Sequence, residues 1–152
     1  MASKALKRLV KEKEEMDKEK SPYYYAAPKG DNLFEWEGYI MGPEDSVYQG
    51  FKYSISIQFP VDYPFPPPVI KFTTPIYHAN VAVTDGTICH QVLKDKWSPA
   101  LLISKVLLTL YDMLAIPNPE SALNHDAAVL LQTDRAAMRA KVESMAAAGS
   151  KD

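Results

Sequence analysis

Near the N-terminus, hydrophobic residues recur every three or four positions, which is the spacing of an amphipathic helix. The pattern predicts a helix over residues 4–20, with Ser3 as its cap. The apolar side of this helix consists of Leu6, Leu9, Val10 and Met16. Lysine and glutamate fill the other side. Ser21 and Pro22 follow, and because the residue before a proline avoids the α-helical region, the helix is predicted to end there.

From residue 23 onward, apolar residues alternate with polar ones, which is typical of strands that bury one face. The alternation predicts four strands, over residues 23–27, 34–41, 51–59 and 69–72. Turn residues connect the first three strands, so neighbouring strands are expected to pair as an antiparallel meander. Four prolines within residues 64–68 cannot join a central strand and favour an extended polyproline conformation. Phe65, among them, is either a buried wedge or an exposed anchor.

Helix-forming residues return near position 100. The Ser-Pro-Ala segment at 98–100 predicts either the start of a helix or a short turn. Residues 101–114 are apolar nearly all round, which indicates a buried central helix. Two more helices are predicted to follow, one from a cap at Asn124 and one from a cap at Thr133 or Asp134.

This order of elements predicts an α+β fold. It comprises an N-terminal helix, a four-stranded antiparallel meander sheet, a long loop that carries the candidate active site, and then C-terminal helices. We expect a single domain over residues 1–148, because a chain of 152 residues can bury a sizeable core in one unit. The last residues, 149–152, are expected to form a frayed tail.

Composition narrows the function classes. The formal net charge of −2 gives no general attraction to nucleic acid or to a membrane surface. One cysteine excludes an internal disulfide framework and fits a reducing compartment, so the cytoplasm or the nucleus is the expected location. No apolar run is long enough to span a bilayer, and the first residues lack the apolar core of a signal peptide.

Cys89 is the first candidate for chemistry. A lone cysteine is most often a small buried hydrophobe, but this one lies in irregular chain and is followed by His90, Lys94 and Lys96. Positive charge near a thiol favours the thiolate, which is the nucleophilic form. The sequence leaves open which of these side chains point at the sulfur.

Two polar residues precede Cys89 in the same stretch. Asn80 can donate to an oxyanion that develops at a carbonyl attached to Cys89, or it can bond to its own backbone in a turn. His78 can act as a base, or it can brace the loop by hydrogen bonds. One cysteine and three scattered histidines show no paired-ligand spacing, so no metal and no cofactor are expected. A Cys-His hydrolase stays possible, although no third member that would orient the histidine is evident.

Several stretches in chain order match one known family. They are ALKR (5–8), IMGPEDSVYQG (40–50), DYPFPPP (62–68), KFTTPIYHAN (71–80), GTIC (86–89), LKDKWSPAL (93–101), SKVLL (104–108) and PNP (117–119). On these stretches the chain resembles the ubiquitin-conjugating enzymes, from the first helix to about residue 145. The resemblance implies the same α+β fold that the hydrophobic pattern predicts.

The resemblance also implies a reaction. Cys89 would accept ubiquitin from an activating enzyme as a thioester, in an ATP-dependent cascade, and release it to a substrate lysine or to a ligase cysteine. Asn80 matches the family's asparagine that stabilises the oxyanion or holds the loop. By the same resemblance the expected partners are ubiquitin, the activating enzyme, a ligase and a protein substrate, and the chain is expected to be a monomer.

Two docking surfaces carry over by the same resemblance. The ligase-facing residues are Phe65, Ser98, Pro99 and Ala100. The residues that would face the activating enzyme are Lys7, Arg8 and Lys11 on the first helix. Read from the helix pattern alone, these basic residues could equally belong to a solvated face.

The chain departs from the family pattern around the cysteine. The triplet that is usually His-Pro-Asn is His78-Ala79-Asn80, the loop to Cys89 is one residue longer than in the commonest members, and His90-Gln91 replaces the usual Leu-Asp. Ser121 stands where the family often places an aspartate thought to orient the incoming lysine. Tyr25 replaces a small residue on the outer sheet face, which puts ubiquitin binding there in doubt.

From these departures we predict that thioester formation survives while direct transfer to lysine is slow without a ligase. Two alternatives stay open. The chain could be a degenerate member that serves as a non-catalytic binding scaffold, or it could conjugate a different ubiquitin-like modifier.

Overall fold

The computed structural model describes residues 3–149. The helices and strands lie in the predicted order: α1 Lys4–Glu19, β1 Tyr24–Lys29, β2 Asn32–Met41, β3 Lys52–Gln58, β4 Val69–Phe72, α2 Ile103–Ala115, α3 His125–Thr133 and α4 Arg135–Gly149. Two short 3₁₀ turns, Gln91–Leu93 and Pro119–Ser121, lie on either side of α2. The α+β prediction is confirmed.

The four strands pair in the order β1-β2-β3-β4, and every pair is antiparallel, which confirms the meander. One face of the sheet is buried and includes Tyr24, Ala26, Trp36, Ile40, Tyr53, Ile55, Ile57, Ile70 and Phe72. The helices α1 and α2 both contact the sheet. The predicted end of β1 is wrong: the strand continues through Pro28 to Lys29, and the turn is confined to Gly30 and Asp31, with φ of +61° at Gly30.

The buried side of α1 differs from the predicted one. Val10 is 45% exposed, whereas Glu12 is only 1% exposed. One carboxylate oxygen of Glu12 accepts the Ile103 N–H at 2.6 Å, and the other accepts the Tyr63 hydroxyl. A side chain that the pattern assigned to the polar face is therefore buried, because a distant helix end supplies a donor for it.

The C-terminal half follows the prediction. Of the two alternatives predicted for residues 98–100, the short turn is confirmed: the Leu101 N–H donates to the Ser98 carbonyl at 2.9 Å, and the helix begins at Ile103. Asn124 caps α3 as predicted, through the Ala127 N–H at 3.0 Å. Of the two residues predicted to cap the last helix, Thr133 and Asp134, it is Asp134 that caps it.

The Asp134 side chain accepts the Ala137 N–H at 3.0 Å. The predicted tail over 149–152 begins with Gly149, which still belongs to α4, and residues 150–152 lie outside the described part of the chain. Within the described residues, no helix is both long and apolar enough to cross a membrane.

Candidate active site

Cys89 ends a small hairpin that the hydrophobic pattern did not predict. Val81 and Ile88 form an antiparallel bridge, and the Cys89 N–H donates to the Asn80 carbonyl at 2.8 Å. At the tip, Gly86 has φ of +77°, and a Cβ there would lie 1.9 Å from the Phe72 carbonyl oxygen. The hairpin is thus held against the last strand of the sheet, and only glycine fits at this point.

The thiol of Cys89 is partly exposed. The Lys94 ammonium donates to its sulfur, with 3.1 Å between Nζ and Sγ. Of the three basic residues that follow the cysteine, His90 has another task. Its Nδ1 accepts the Val92 N–H at 3.0 Å and caps the turn Gln91–Leu93, and partial burial lowers its pKa below the ordinary value. The structure thus brings Lys94, rather than His90, into contact with the candidate nucleophile.

Asn80 is fully buried and is held by a neighbouring loop. Its side-chain NH₂ donates to the Asn118 carbonyl at 2.7 Å, and its side-chain oxygen accepts the Asn118 N–H at 2.8 Å. This pair of bonds satisfies both backbone groups of one residue in the Pro-Asn-Pro segment. Of the two predicted roles for Asn80, the bracing role describes this geometry.

His78 is also fully buried, and both of its ring nitrogens are occupied. Nδ1 accepts the Asn80 N–H at 2.9 Å, so the proton resides on Nε2, which donates to the Met113 carbonyl at 2.8 Å. Burial lowers the pKa of His78 to about 4. The catalytic role predicted for His78 as a base is therefore corrected, because a ring without a free nitrogen or solvent access cannot take a proton from a substrate.

The turn around Ala79, where the family pattern has a proline, is held by backbone hydrogen bonds. The Val81 N–H donates to the His78 carbonyl at 3.2 Å, which closes the turn around Ala79. The Ala79 carbonyl accepts the Leu123 and Asn124 N–H groups at 2.7 and 2.9 Å. Backbone hydrogen bonds thus hold the segment that a proline would otherwise stiffen.

A closed circuit of contacts connects the cysteine loop to the Pro-Asn-Pro loop. The Cys89 N–H donates to the Asn80 carbonyl, and the Asn80 side chain is hydrogen-bonded to the backbone of Asn118. The Asn118 side chain in turn accepts the Glu120 N–H at 3.0 Å. The circuit closes where Gln91 Nε2 donates to a Glu120 carboxylate oxygen at 3.3 Å. The exposed carboxylate of Glu120 is therefore anchored to Gln91, which follows Cys89 by two residues in the chain.

Ser121 ends the 3₁₀ turn Pro119–Ser121, and its N–H donates to the Asn118 carbonyl at 3.2 Å. It belongs to the loop that Asn80 braces. Sequence reasoning named Ser121 but missed Asn118 and Glu120. The signal for Asn118 was available, since an asparagine between two prolines has few backbone options and a side chain free to cap.

The predicted ligase-facing residues lie together. Phe65 is 70% exposed, which is the anchor alternative, and Ser98, Pro99 and Ala100 are all exposed. The Trp97 indole N–H lies 3.0 Å from the Pro64 carbonyl oxygen and 3.2 Å from that of Phe65. This contact ties the two loops into one exposed surface.

The predicted activating-enzyme surface divides into two parts. Lys7 and Lys11 are exposed on α1. Arg8 is half-buried, and its guanidinium donates to the Pro99 and Leu101 carbonyls at 2.7 Å each. These donors hold the turn before α2, and a part for Arg8 in the docking surface stays a prediction.

Tyr25 is partly buried on the outer sheet face, and its hydroxyl donates to an Asp17 carboxylate oxygen at 2.9 Å. It thus packs toward α1. In the described part of the chain, no group of three or more histidine, cysteine or acidic side chains is placed to hold a metal ion.

Comparison with known proteins shows the family of the chain. A family profile described as "Ubiquitin-conjugating enzyme" matches residues 8–146. A crystal structure from Plasmodium yoelii, whose own assignment as a ubiquitin conjugating enzyme is provisional, is similar at 36% identity with a TM-score of 0.87, covering 98% of this chain and 97% of that one. The E2 domain of a Toxoplasma gondii ubiquitin conjugating enzyme is similar at 31% identity with a TM-score of 0.84, covering 95% of this chain and 98% of that one. The chain therefore belongs to the ubiquitin-conjugating enzyme family, whose partners in general are ubiquitin, an activating enzyme and a ligase.

Proposed function

We propose that the protein accepts ubiquitin from an activating enzyme as a thioester on Cys89 and then transfers it to a lysine or to a ligase cysteine. The observation that carries this proposal is the partly exposed thiol in a loop whose backbone is fixed against Asn80. A nucleophile that carries an acyl group between partners must be accessible and must have a fixed position. Partial exposure of Cys89 meets the first condition. The buried Asn80, which is hydrogen-bonded to the neighbouring loop, meets the second.

The transfer step needs little further chemistry. A thioester is already reactive toward amines, so catalysis consists mainly of placing the attacking group and stabilising the developing oxyanion. The hydrogen bonds through Asn118 and Glu120 hold the Pro-Asn-Pro loop to the cysteine loop. Exposed Lys7 and Lys11 are proposed to receive the activating enzyme, and the surface of Phe65 and residues 98–100 the ligase.

Transfer to lysine is proposed to be slow without a ligase. The attacking amine is a cation before it loses a proton, and a nearby carboxylate favours its approach. Ser121 and Gln91 carry no charge, and the nearby Glu120 carboxylate is engaged by Gln91. A cysteine acceptor needs less help, because it can arrive as a thiolate.

The test begins with charging. The protein is incubated with activating enzyme, ATP and ubiquitin, and in parallel with other ubiquitin-like modifiers, and adducts are resolved with and without a reducing thiol. We expect a reducible adduct with ubiquitin that is absent from Cys89→Ala. If another modifier formed the adduct and ubiquitin did not, the protein would be a conjugating enzyme for that modifier. If no modifier formed an adduct, the protein would be a non-catalytic binding scaffold.

The second step measures discharge of the purified thioester onto free lysine and onto free cysteine in the absence of a ligase. We expect discharge onto cysteine to be the faster by a wide margin. Rapid discharge onto free lysine in the absence of a ligase would contradict the argument from Ser121.

A further inference from the structure

The side-chain amide of Asn80 is occupied on both sides. When a nucleophile attacks a thioester, negative charge develops on the carbonyl oxygen, and a donor that meets this charge speeds the reaction. The family pattern assigns Asn80 either to this oxyanion or to bracing the loop. In the structure its NH₂ group donates to the Asn118 carbonyl at 2.7 Å, and its oxygen accepts the Asn118 N–H at 2.8 Å. The side chain is also fully buried, so Asn80 braces the loop and the oxyanion requires another donor.

Two further polar side chains follow Cys89, and both have other partners. Gln91 Nε2 donates to a Glu120 carboxylate oxygen at 3.3 Å. His90 Nδ1 accepts the Val92 N–H at 3.0 Å and caps the short turn that follows it. Neither of these hydrogen bonds involves the sulfur of Cys89.

Lys94 provides a charged donor at the reacting atom. Its Nζ lies 3.1 Å from Sγ of Cys89. In a thioester, one carbon atom separates the carbonyl oxygen from this sulfur, so a small rotation of the lysine side chain brings the ammonium to the oxygen. An ammonium has three N–H donors, and its hydrogen bonds to an anion are stronger than those of a neutral amide. None of the ion pairs within residues 3–149 engages Lys94, so no carboxylate of these residues competes for its charge.

The turn that carries Lys94 is held by hydrogen bonds. The Lys94 N–H donates to the Gln91 carbonyl at 2.9 Å, and the Lys94 carbonyl accepts the Trp97 N–H at 3.2 Å. The Trp97 indole N–H in turn lies 3.0 Å from the Pro64 carbonyl oxygen. A donor whose position is fixed in advance needs little reorganisation when charge develops in the transition state, which is the basis of electrostatic stabilisation in active sites.

We propose that the ammonium of Lys94, in place of Asn80, is the oxyanion donor of this site and therefore a catalytic residue. This inference rests on the proposed thioester on Cys89. An acceptor thiolate attacks the carbonyl carbon, a new C–S bond forms, and the π electrons move to the oxygen, which accepts a hydrogen bond from Lys94. When the oxyanion collapses, the bond to Cys89 breaks, and its sulfur leaves with the bonding pair as a thiolate. Lys94 keeps its proton throughout, and no oxidant or reductant is consumed.

Lys96 provides a matched comparison two residues further along. It is exposed like Lys94, and its backbone N–H donates to the same Gln91 carbonyl at 2.9 Å. Among the contacts of the described residues, the ammonium that reaches Sγ is that of Lys94. The two lysines share charge, exposure and turn, and they differ in contact with the sulfur.

The experiment measures discharge of the purified thioester between the full-length protein and ubiquitin, after the activating enzyme and ATP are removed. The acceptors are free cysteine, hydroxylamine and water, each in the absence of a ligase. Ubiquitin is counted when it is released as the cysteine conjugate, the hydroxamate or the free acid. Rates are first-order constants per thioester, so a change in charging does not affect the comparison.

Three variants are compared with wild type. Lys94→Met removes the charge at similar side-chain length, Lys94→Arg keeps a charged donor, and Lys96→Met is the matched control. Lys94→Met should lower the rate about tenfold for all three acceptors, because their reactions share the oxyanion. Hydroxylamine and water are neutral, so their losses separate stabilisation of the oxyanion from attraction of an incoming thiolate. Lys94→Arg should stay within about threefold of wild type, and Lys96→Met within about twofold.

Several results would overturn the inference while leaving the proposed function in place. They are unchanged rates in Lys94→Met, a loss confined to the cysteine acceptor, or a loss in Lys94→Arg or Lys96→Met as large as that in Lys94→Met. If the wild-type protein formed no thioester at all, both the inference and the proposed function would be overturned.

Discussion

The buried imidazole of His78 makes a quantitative prediction about stability and pH. Burial lowers its pKa in the folded protein to about 4, against an ordinary value of 6.5. Protonation would place a proton on Nδ1, which now accepts the Asn80 N–H. The folded state therefore resists protonation at a pH where the unfolded chain accepts it.

The sign and the size follow from proton linkage. Below pH 6.5 the unfolded state binds a proton at His78 and the folded state does not, so the free energy of unfolding falls as the pH falls, until the folded state also titrates near pH 4. With these two pKa values the loss between pH 7 and pH 5 is about 2 kcal/mol. Above pH 6.5 this contribution no longer changes.

Urea unfolding at pH 7 and at pH 5 tests this, with wild type, His78→Gln and the exposed-site control His125→Gln. His78→Gln loses buried hydrogen bonds and should be less stable at pH 7 by about 1–3 kcal/mol. Its further loss between pH 7 and pH 5 should be about 2 kcal/mol smaller than that of wild type. His125→Gln should follow wild type. His90 and the carboxylates are present in all three proteins, so their contributions cancel in the comparison. Equal losses in wild type and His78→Gln would refute the reasoning.

Three further predictions concern polar groups that are buried or partly buried, and two of them have an exposed control. Glu12→Ala should lower the free energy of unfolding by about 3–5 kcal/mol in urea titrations, because it orphans buried donors, whereas the exposed Glu14→Ala should stay within about 0.5 kcal/mol. Arg8→Ala should cost about 1–3 kcal/mol of stability. Lys7→Ala should leave stability unchanged and raise the KM for charging by the activating enzyme. If Arg8→Ala instead raised this KM and left stability unchanged, Arg8 would belong to the docking surface. Asn80→Ala should cost about 1–3 kcal/mol, measured by thermal and urea unfolding, and an unchanged stability would exclude the bracing role.

Much of the fold could be predicted because the relevant signals are local. Alternation along residues 51–59 depends only on neighbours in the chain, and the strand it predicts is confirmed at Lys52–Gln58. The same holds for the cap at Asn124. The start of α2 could not be predicted from local signals, since Leu102 offers no capping side chain. The N–H of Ile103 donates instead to the Glu12 carboxylate, ninety-one residues before Ile103 in the chain.

The candidate site shows the same division. The sequence by itself determined that Cys89 is the one available thiol and that it lies in a loop shared with Asn80 and Lys94. Only the tertiary structure decided which partner each polar side chain contacts. The His78 ring donates to the Met113 carbonyl, and the amine that contacts the sulfur is that of Lys94. The physical reason is that hydrogen-bond partners are set by which distant segments pack together, and the composition and spacing of one stretch carry no record of its neighbours in space.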